Sequence, residues 1–303
     1  MNQFDHDVMF EGMNIAILSR NPALYSTQSL ARAARVRHHY VRIIDYVNCD
    51  LIMEDGNLTI SYHGQVIKDI DAIIPRIGAS HTNYGSAVIR QFEQKGVFTT
   101  LSSQALLKSR DKLTCSQILA SKGMQIPRTI VSNNTLMYQD LLETFEHNIV
   151  IKLIHGTHGI GVILAENNNQ AESILEAFNK TKQKALMQEF IAESKGADIR
   201  IFVVENEIVG TMKRQAKEGE FRSNLHRGGS STVEPINDKE REVALKAVRH
   251  LGLKIAGVDM LRSDRGPLIL EVNASPGLEG IEKTTKVDIA GRIINFIERN
   301  VSV

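Results

Sequence analysis

Near its C-terminus the chain reads AGVDML at 256–261, SDRG at 263–266 and LILEVNASPG at 268–277. Two apolar runs rich in β-forming residues therefore flank a polar turn that contains glycine, and this pattern is typical of a β-hairpin. Because side chains alternate between the two faces of a strand, a hairpin at this position decides which residues lie together on one face of the sheet.

Three side chains with oxygen donors lie inside these apolar strands. With the turn centred on Arg265, Asp259 stands directly opposite Glu271, and strand alternation places Glu271 and Asn273 on one face and Val272 on the other. Two carboxylates that face each other across strands repel. A hard divalent cation removes that repulsion, and Asp, Glu and Asn oxygens are ligands that Mg²⁺ prefers. The hairpin therefore predicts a Mg²⁺ site that also holds a phosphate.

Composition excludes several classes of protein. The chain has 303 residues, and 36 Lys and Arg balance 35 Asp and Glu to give a net charge of +1. No bulk field then favours DNA or a membrane, so electrostatic recognition must be local. No apolar run approaches the ~18–20 residues that span a bilayer, and the polar residues 1–12 are predicted to be a short extension rather than a signal peptide. Cys49 and Cys115 have no metal-type spacing and are expected to be reduced thiols of a cytoplasmic protein.

The first hundred residues alternate strands with helices. Strands are predicted over 14–19, 40–44 and 72–77, with a small hairpin at 58–67 and helices over 27–37 and 82–95. This order is typical of an open α/β domain, predicted here for residues 13–100. Such sheets bind ligands at the ends of their parallel strands. Arg76, which ends the third strand, is therefore a candidate substrate contact, and an ordinary surface arginine is the alternative.

The rest of the chain divides near residue 188. The central segment, 101–188, has predicted helices over 110–121, 137–145 and 170–180 and strands over 129–131, 149–153, 162–164 and 185–187. The C-terminal segment, 189–303, has predicted strands over 199–204, 208–212, 254–261 and 268–272 and helices over 239–251 and 288–299. Antiparallel strand pairs with helices on one side predict α+β architecture for both. The polar stretch 215–232 is predicted to be a long loop, and loops of that length are usually functional.

Lys152 lies in the apolar strand IVIKLI at 149–154. A lysine in such a strand either extends its amine to solvent or meets an anion. The next residues, HGTHGIGV at 155–162, are rich in glycine, whose backbone N–H groups can approach phosphate oxygens closely. The spacing fits neither the P-loop nor the dinucleotide fingerprint. It therefore predicts a β-hairpin flap that folds over a chain of phosphates.

Two further motifs follow in the C-terminal half. Glu189 and Phe190 lie where the central and C-terminal segments meet, either as a hinge that holds an adenine edge or as an ordinary junction. Asp198 and Arg200 share one face of the next strand, where Arg200 either braces a phosphoryl group with its planar fork or screens Asp198. The loop EFRSNLHRGG at 220–229 suits closure over an anionic substrate. RNA is a weaker alternative for this loop because its aromatic platform is a single phenylalanine.

Together these motifs resemble the ATP-grasp ligases and, within them, the RimK-type glutamate ligases. The resemblance extends from Met13 to about Arg299. The segments that carry it are IPRIG at 74–78, SRDKL at 109–113, the Lys152 strand with its flap, QEF at 188–190, DIR at 198–200, FRSNLHRGG at 221–229 and EVNASPGLEGIE at 271–282. It implies an N-terminal preATP-grasp, Rossmann-like domain and two α+β domains that sandwich ATP.

The resemblance also implies a role for each matched residue. Those assigned to ATP are Lys112 and Lys152 at the phosphates, Gly156, Gly159 and Gly161 in the flap, Glu189 and Phe190 at the adenine, and Asp198 near the ribose. Those that complete the nucleotide and acyl-phosphate pocket are Arg222, Ser223 and Asn224, and the catalytic candidates are Arg200, Arg222 and Asn224. Asp259, Glu271 and Asn273 would bind two Mg²⁺ or Mn²⁺ ions, with Glu271 bridging them.

The implied activity is ATP-dependent ligation of a carboxylate to an amine. It would add L-glutamate to the C-terminal carboxylate of ribosomal protein S-six through an acyl phosphate, with poly-α-glutamate synthesis as a further activity and a homotetramer as the assembly. Three alternatives stay open. They are a ligase of the same fold that acts on an amino-group carrier protein, a cofactor or a small peptide, a small-molecule kinase on the same scaffold, and a non-catalytic nucleotide-binding module. The intact set of metal ligands argues against the last of these.

Overall fold

The computed structural model describes residues 12–146, 148–154, 161–225 and 228–301. Its N-terminal part contains the strands β1 Asn14–Leu18, β2 Tyr40–Ile44, β3 Cys49–Glu54, β4 Asn57–Tyr62, β5 Gln65–Val66, β6 Ala72–Pro75 and β7 Phe98–Thr99, and the helices α1 Tyr25–Val36 and α2 Thr82–Gln94. A parallel sheet has the order β2-β1-β6-β7, and β3, β4 and β5 form a small antiparallel sheet beside it. The predicted α/β architecture is confirmed.

The helix predicted over 110–121 is α4 Lys112–Ser121, and a helix that was not predicted, α3 Ser103–Arg110, precedes it. Asp111 separates them because its backbone is extended and its Oδ1 accepts the backbone N–H of Thr114 at 2.9 Å, which is an N-cap. The cap places Lys112 in the first turn of α4. Cys115 and Leu119 of α4 pack into a core that contains residues of the C-terminal sheet. The predicted boundary at residue 101 stays a prediction.

The central sheet is antiparallel and has its own core. Its elements are β8 Thr129–Ile130, α5 Tyr138–Glu143, β9 Ile149–Leu153, β10 Val162–Ala165, α6 Asn168–Lys180 and β11 Ala185–Glu189, with the strand order β10-β9-β11-β8. Ile149 and Ile151 face α5 and α6 in that core. By strand alternation Val150 and Lys152 lie on the opposite face, where they line a large cleft.

The C-terminal sheet has five antiparallel strands in the order β14-β13-β12-β15-β16. Its elements are β12 Ala197–Val204, β13 Glu207–Gln215, β14 Ser230–Val233, α7 Asp238–His250, β15 Ile255–Ser263, β16 Gly266–Asn273, α8 Glu279–Thr285 and α9 Ile289–Asn300. The expected loop over 215–232 is shorter than predicted, since Ser230 begins β14 and pairs with Gln215. The prediction of helices on one side is wrong, because α7 packs on one face of the sheet and α9 on the other.

The N-terminal and C-terminal sheets share two continuous cores. Ile15 and Ile17 of β1 lie in one core with Phe202 of β12 and with α9. Ala16 and Leu18, on the opposite face of β1, lie in the other core with residues of α7 and β15. Burial of both faces explains the uninterrupted apolar run of β1.

Within the described ranges, every helix is too short or too polar to cross a membrane.

Candidate active site

The cleft of about 880 Å³ is lined by residues from all three predicted segments. On one side lie Lys152 of β9 and Gln188 of β11, and on the other lie Arg200, Asp259 and Glu271 of the C-terminal sheet. The predicted site residues that line it are Lys112, Lys152, Glu189, Phe190, Asp198, Arg200, Arg222, Ser223, Asn224, Asp259, Glu271 and Asn273. The two antiparallel sheets therefore enclose the predicted site between them.

The hairpin has the predicted cross-strand pair, although the turn is different. Ser263 pairs with Gly266, so the turn has two residues and is not centred on Arg265. A register shift between Asp259 and Met260 restores the predicted alignment, and Asp259 pairs with Glu271. The bulge therefore keeps the two carboxylates opposite each other despite the shorter turn.

The Asp259 carboxylate is almost fully buried and is held by two arginines. Arg200 of β12 binds both carboxylate oxygens: its Nε donates to Oδ1, and its Nη2 donates to Oδ2 at 2.8 Å. Arg214 of β13 reaches the same Oδ2 with its Nη2 at 2.9 Å, and the Asn273 amide lies 3.4 Å from it. Burial alone would raise the pKa of Asp259, but Arg200 and Arg214 hold it below its usual value. This carboxylate therefore stays ionised.

Asp198 does not pair with Arg200, so the predicted screening between these two residues is wrong. It pairs instead with Arg214, whose Nε and Nη2 donate to its two oxygens at 2.7 and 2.6 Å. Ser223 Oγ donates to Asp198 Oδ2 at 2.6 Å. The reason is register: Asp198 stands opposite Arg214 on β13, whereas Arg200 stands opposite Asp259 on β15.

Arg214 is the residue that sequence reasoning missed. Burial would lower its pKa, but the carboxylates of Asp259 and Asp198 together raise it. Its position was predicted to lie just beyond the end of a strand, because Lys213, Arg214 and Gln215 are polar. In the structure β13 continues to Gln215 and is covered by β14. If the predicted strand had been extended by two residues, strand alternation would have placed Arg214 on the same buried face as Met212.

Two lysines from different elements lie near the acidic face, which is the surface formed by Asp259, Glu271 and Asn273. Lys152 Nζ donates to Gln188 Oε1 at 2.5 Å. Burial, opposed by the charge of Glu271 and reinforced by that of Lys112, lowers the pKa of Lys152 to about 8. Burial also lowers the pKa of Lys112, again against the effect of Glu271. Both lysines therefore lie close enough to Glu271 and to each other for their charges to interact.

The Glu271 carboxylate differs from that of Asp259. It is exposed to the cleft, and no described residue donates a hydrogen bond to it. The residues thus fit a hard cation: Glu271 is available, Asn273 offers an amide oxygen after rotation, and Asp259 would exchange an arginine for the metal. In the described part of the chain, no cluster of three His, Cys, Asp or Glu side chains forms a metal site. The predicted site depends on two carboxylates and one amide.

The hinge residues have contacts that refine their predicted roles. The Glu189 carboxylate accepts the backbone N–H of Arg128 at 2.7 Å and forms an ion pair with Arg265 of the hairpin turn. Those contacts weigh against its side chain as the adenine acceptor. Phe190 contacts Phe221 edge-to-face, with ring centroids 6.3 Å apart. Two aromatic rings from different segments therefore meet at the cleft, where a flat base can pack.

The loop after β13 is tied to the central sheet. Arg222 forms an ion pair with Glu220 at 2.6 Å, and its Nη1 donates to the carbonyl oxygen of Val162 at 3.2 Å. The hydrogen bond from Arg222 lowers the pKa of Glu220 to about 2. Gly156 and Gly159 of the predicted flap lie outside the described residues. Gly161 has a φ of +70° and would clash with Leu153 if it carried a Cβ, so glycine is required there, but it does not line the cleft.

The N-terminal domain also reaches the cleft. Arg76 follows β6, and its Nη2 donates to the carbonyl oxygen of Pro276 at 2.8 Å. Arg110, at the end of α3, donates from Nη2 to the carbonyl oxygen of Ile77 at 2.8 Å. The structure therefore brings Arg76 to the site, as predicted for a substrate contact, and adds Arg110, which had no predicted role.

This fold and these residues agree with comparisons to known proteins. The chain is an ATP-grasp enzyme, in the class of ATP-dependent carboxylate–amine ligases. Within that class it belongs to the RimK family: the RimK PreATP-grasp domain matches residues 13–106, and the RimK-like ATP-grasp domain matches residues 109–297.

Individual relatives extend over nearly the whole chain. A probable alpha-L-glutamate ligase of Picosynechococcus sp. is 52% identical over 291 residues, which cover 96% of this chain and 97% of the relative. A probable alpha-L-glutamate ligase 1 of Hahella chejuensis is 54% identical over 288 residues, which cover 95% of each chain. The ATP-grasp ligase PsnB, solved with a variant of its minimal precursor, Mg and ADP, has a TM-score of 0.73 at 18% identity and covers 96% of this chain and 99% of its own. The last similarity shows the fold alone.

Proposed function

We propose that this protein is an ATP-dependent L-glutamate ligase that extends the C-terminal carboxylate of an acceptor protein, ribosomal protein S-six. One observation carries the proposal: the acidic face of Asp259, Glu271 and Asn273 lies opposite Lys112 and Lys152 in a single cleft. The names of the relatives support glutamate as the amino acid. The acceptor and poly-α-glutamate synthesis come from the family resemblance.

The reaction joins a carboxylate to an amine in two steps. An oxygen of the acceptor carboxylate attacks the γ-phosphorus of ATP, and the bond to the β-phosphate oxygen breaks to release ADP. The neutral amine of glutamate then attacks the acyl carbon of the resulting acyl phosphate, inorganic phosphate leaves, and the amine loses a proton. Because the protein forms no covalent bond in this scheme, its work is to position the reactants and to neutralise charge.

The protein side chains divide this work. Lys112 and Lys152 would bind the phosphates of ATP, and Phe190 with Phe221 would pack on the adenine. Asp259, Glu271 and Asn273 would hold two Mg²⁺ or Mn²⁺ ions with Glu271 between them, and such ions neutralise charge on a transferring phosphoryl group. The ATP-grasp ligase PsnB was solved with Mg and ADP, which supports this choice of cofactors.

Arg200 has two alternative partners in this scheme. In the structure its guanidinium is bound to Asp259. The four contacts that Asp259 makes with Arg200, Arg214 and Asn273 leave few lone pairs for a cation. Cation binding at Asp259 would therefore release Arg200 toward a phosphoryl oxygen. Arg214 would keep its pair with Asp198, and Arg222, Ser223 and Asn224 would border the same pocket.

Two assays test the proposal. The purified protein with ATP and Mg²⁺ is given each of the twenty amino acids, and ADP release is measured; we expect release with L-glutamate. Mass spectrometry of ribosomal protein S-six should then show the addition of glutamyl residues. Amide formation on another acceptor would point to the related ligases, and ADP release without a new amide would point to a kinase. A homotetramer and a cytoplasmic location stay predictions, which light scattering and cell fractionation test.

A further inference from the structure

Two arginines of the cleft lack an acidic partner. Arg76 and Arg110 each donate one hydrogen bond, in both cases to a backbone carbonyl, and neither forms an ion pair with any residue in the described ranges. A guanidinium carries five N–H donors, so most of the donors of each residue have no acceptor among the described residues. Both side chains line the same cleft as Glu271. Most N–H groups of these two guanidinium side chains therefore remain available to a ligand.

The surroundings of these arginines disfavour their charges. Burial and, to a smaller extent, the nearby charge of Arg110 lower the pKa of Arg76 to about 10. Burial also lowers the pKa of Arg110, and the charge of Glu271 opposes this decrease. Two like charges held together in a partly desolvated site cost free energy unless an anion joins them. Folding gains no ion pair from these two arginines in the described part of the chain, because their hydrogen bonds go to backbone carbonyls.

The other cleft arginines already have carboxylates. Arg200 and Arg214 bind Asp259 and Asp198, and Arg222 binds Glu220. The proposed reaction brings glutamate, whose two carboxylates take no part in bond formation and need cationic partners. Lys112 and Lys152 lie on the proposed phosphate side. Lys283 also lines the cleft but pairs with Glu279, so among the described cleft residues Arg76 and Arg110 are the cations available to a carboxylate.

The position of Arg76 and Arg110 in the cleft is suitable for binding a carboxylate. Arg76 donates a hydrogen bond to Pro276, which lies three residues beyond the proposed metal ligand Asn273. The two arginines therefore lie beside the acidic face. Ser275 lines the cleft next to this contact, and its buried Oγ has no hydrogen-bond partner in the described part of the chain. A polar ligand at this point would satisfy a hydroxyl group that the protein leaves without a partner.

We infer that Arg76 and Arg110 together form the binding site for a carboxylate of the amino-acid substrate, separate from the nucleotide site. The inference rests on the proposed function. A planar guanidinium pairs with a carboxylate through two parallel hydrogen bonds, which is the geometry that recognises an amino acid by its acid group. The ends of β6 and α3 thereby select the incoming amino acid, while the two antiparallel sheets hold the nucleotide.

The kinetic test uses Arg76→Met and Arg110→Met, with Arg90→Met as the control because Arg90 is an exposed arginine on α2 of the same domain. ADP release is measured while either L-glutamate or ATP is varied. Each cleft variant should raise the KM for glutamate about 10- to 100-fold and leave the KM for ATP within about twofold. An increase in the KM for ATP with an unchanged KM for glutamate would assign the pair to the nucleotide and overturn the inference.

A stability measurement separates a binding role from a structural one. Because burial and the charge of Arg110 both disfavour the charge of Arg76, the Tm of Arg76→Met should equal or exceed that of the parent protein. A lower Tm with unchanged kinetics would make Arg76 structural. Arg76→Lys keeps the charge but loses the fork, and it should show an intermediate KM. This variant provides the kinetic answer even if Arg76→Met does not fold.

Substrate analogues identify the carboxylate. L-Glutamine lacks the side-chain carboxylate and L-isoglutamine lacks the α-carboxylate. The parent protein should prefer glutamate to one of them, and Arg76→Met should lose that preference. An unchanged preference together with a higher KM for the acceptor would overturn the inference by assigning the pair to the acceptor chain.

Direct binding separates this inference from the proposed function. Equilibrium dialysis of labelled glutamate, with a non-hydrolysable ATP analogue and Mg²⁺, needs no turnover. Binding by the parent protein that is lost in Arg76→Met supports the carboxylate site even if ligation is absent. Binding that is equal in both proteins refutes the carboxylate site and leaves ligation standing. An absence of glutamate binding by the parent protein refutes both.

Discussion

The cleft holds two kinds of arginine, and their surroundings are opposite. On the C-terminal sheet, Arg214 lies between the carboxylates of Asp198 and Asp259, and its charge is balanced before any ligand binds. At the ends of β6 and α3, Arg76 and Arg110 bind backbone carbonyls and repel each other. The first set is charge-balanced within the protein, whereas the second would be stabilised by an anion in the proposed carboxylate site.

This difference separates structure from recognition. A row of alternating charges across adjacent strands fixes the carboxylates of Asp198 and Asp259, because ion pairs with Arg200 and Arg214 already hold them. Cations without partners remain free to bind a ligand. We therefore expect substitutions in the balanced set to affect stability, and substitutions at exposed or unbalanced groups to affect turnover and binding.

The largest effect on stability should come from Arg214→Leu. This change leaves the buried carboxylate of Asp198 without its main cationic partner and removes one partner from Asp259. Loss of one member of a buried charge pair costs about 3–5 kcal/mol, and urea unfolding measures this loss. Lys213→Leu, the neighbouring change on the other side of β13, serves as the control. A loss below about 1 kcal/mol would contradict a structural role for Arg214.

Glu271→Gln should affect turnover much more than stability. No described residue donates to this carboxylate, but its charge favours the protonated forms of Lys112 and Lys152, so the free energy of unfolding should decrease by no more than about 1 kcal/mol. Loss of a metal ligand should lower the rate of ADP release at least about a hundredfold at saturating Mg²⁺. Glu242→Gln, an exposed change on α7, is the control. Full ADP release by Glu271→Gln would refute the metal assignment.

The pH dependence of nucleotide binding tests Lys152. Its pKa in the free protein is about 8, below the ordinary value of 10.5. A phosphate requires the protonated amine, so the affinity for ATP should fall as the pH rises above 8, by up to about tenfold per pH unit for one proton. Titration with a fluorescent ATP analogue between about pH 7 and pH 9.5 measures this slope. In Lys152→Arg the slope should disappear, and a flat profile for the parent protein would contradict the assignment.

The same shift also affects folding. Because the folded pKa of Lys152 lies below its unfolded value, the folded free protein binds fewer protons between about pH 8 and pH 10.5. Burial of this lysine therefore destabilises the free protein below pH 8, and the penalty decreases as the pH rises through this window. Bound phosphate should remove the penalty by keeping the amine charged.

The smallest effect should come from Arg222→Ala. Arg222 and Glu220 form a pair that is partly open to solvent, with 21% of each side chain exposed. Such pairs contribute about 0–1 kcal/mol, so stability should change little. The lost link to Val162 should raise the KM for ATP by about three- to tenfold. Arg222→Lys should recover part of this loss, and unchanged ligation kinetics in Arg222→Ala would remove Arg222 from the site.

Local patterns predicted much of this molecule. The alternation of β15 and β16 was enough to place Asp259 opposite Glu271, even though the two-residue turn and the bulge were not foreseen. Apolar runs located the strands that carry Lys152 and Asp198. Strand ends and helix starts were less accurate, as Asp111 shows: its N-cap starts α4 two residues later than predicted and sets the position of Lys112.

Arg214 and Arg110 show where local patterns fail. Arg214 follows an apolar strand within a polar stretch, and only pairing with β14 keeps that stretch extended. Arg110 ends a helix, where a basic residue is expected for reasons unrelated to function. In both cases the contacts that indicate the role of the residue come from another element, so the local pattern of apolar residues could not predict that role.

The sequence by itself determined the order of the elements, the hairpin and the identity of the acidic face, because these depend on interactions between residues close in the chain. Only the tertiary structure decided which arginine each carboxylate holds and that Arg76 meets Pro276, 200 positions away. Strand order and packing of separate segments set those contacts. They follow from the burial of whole sheet and helix faces rather than from any short motif.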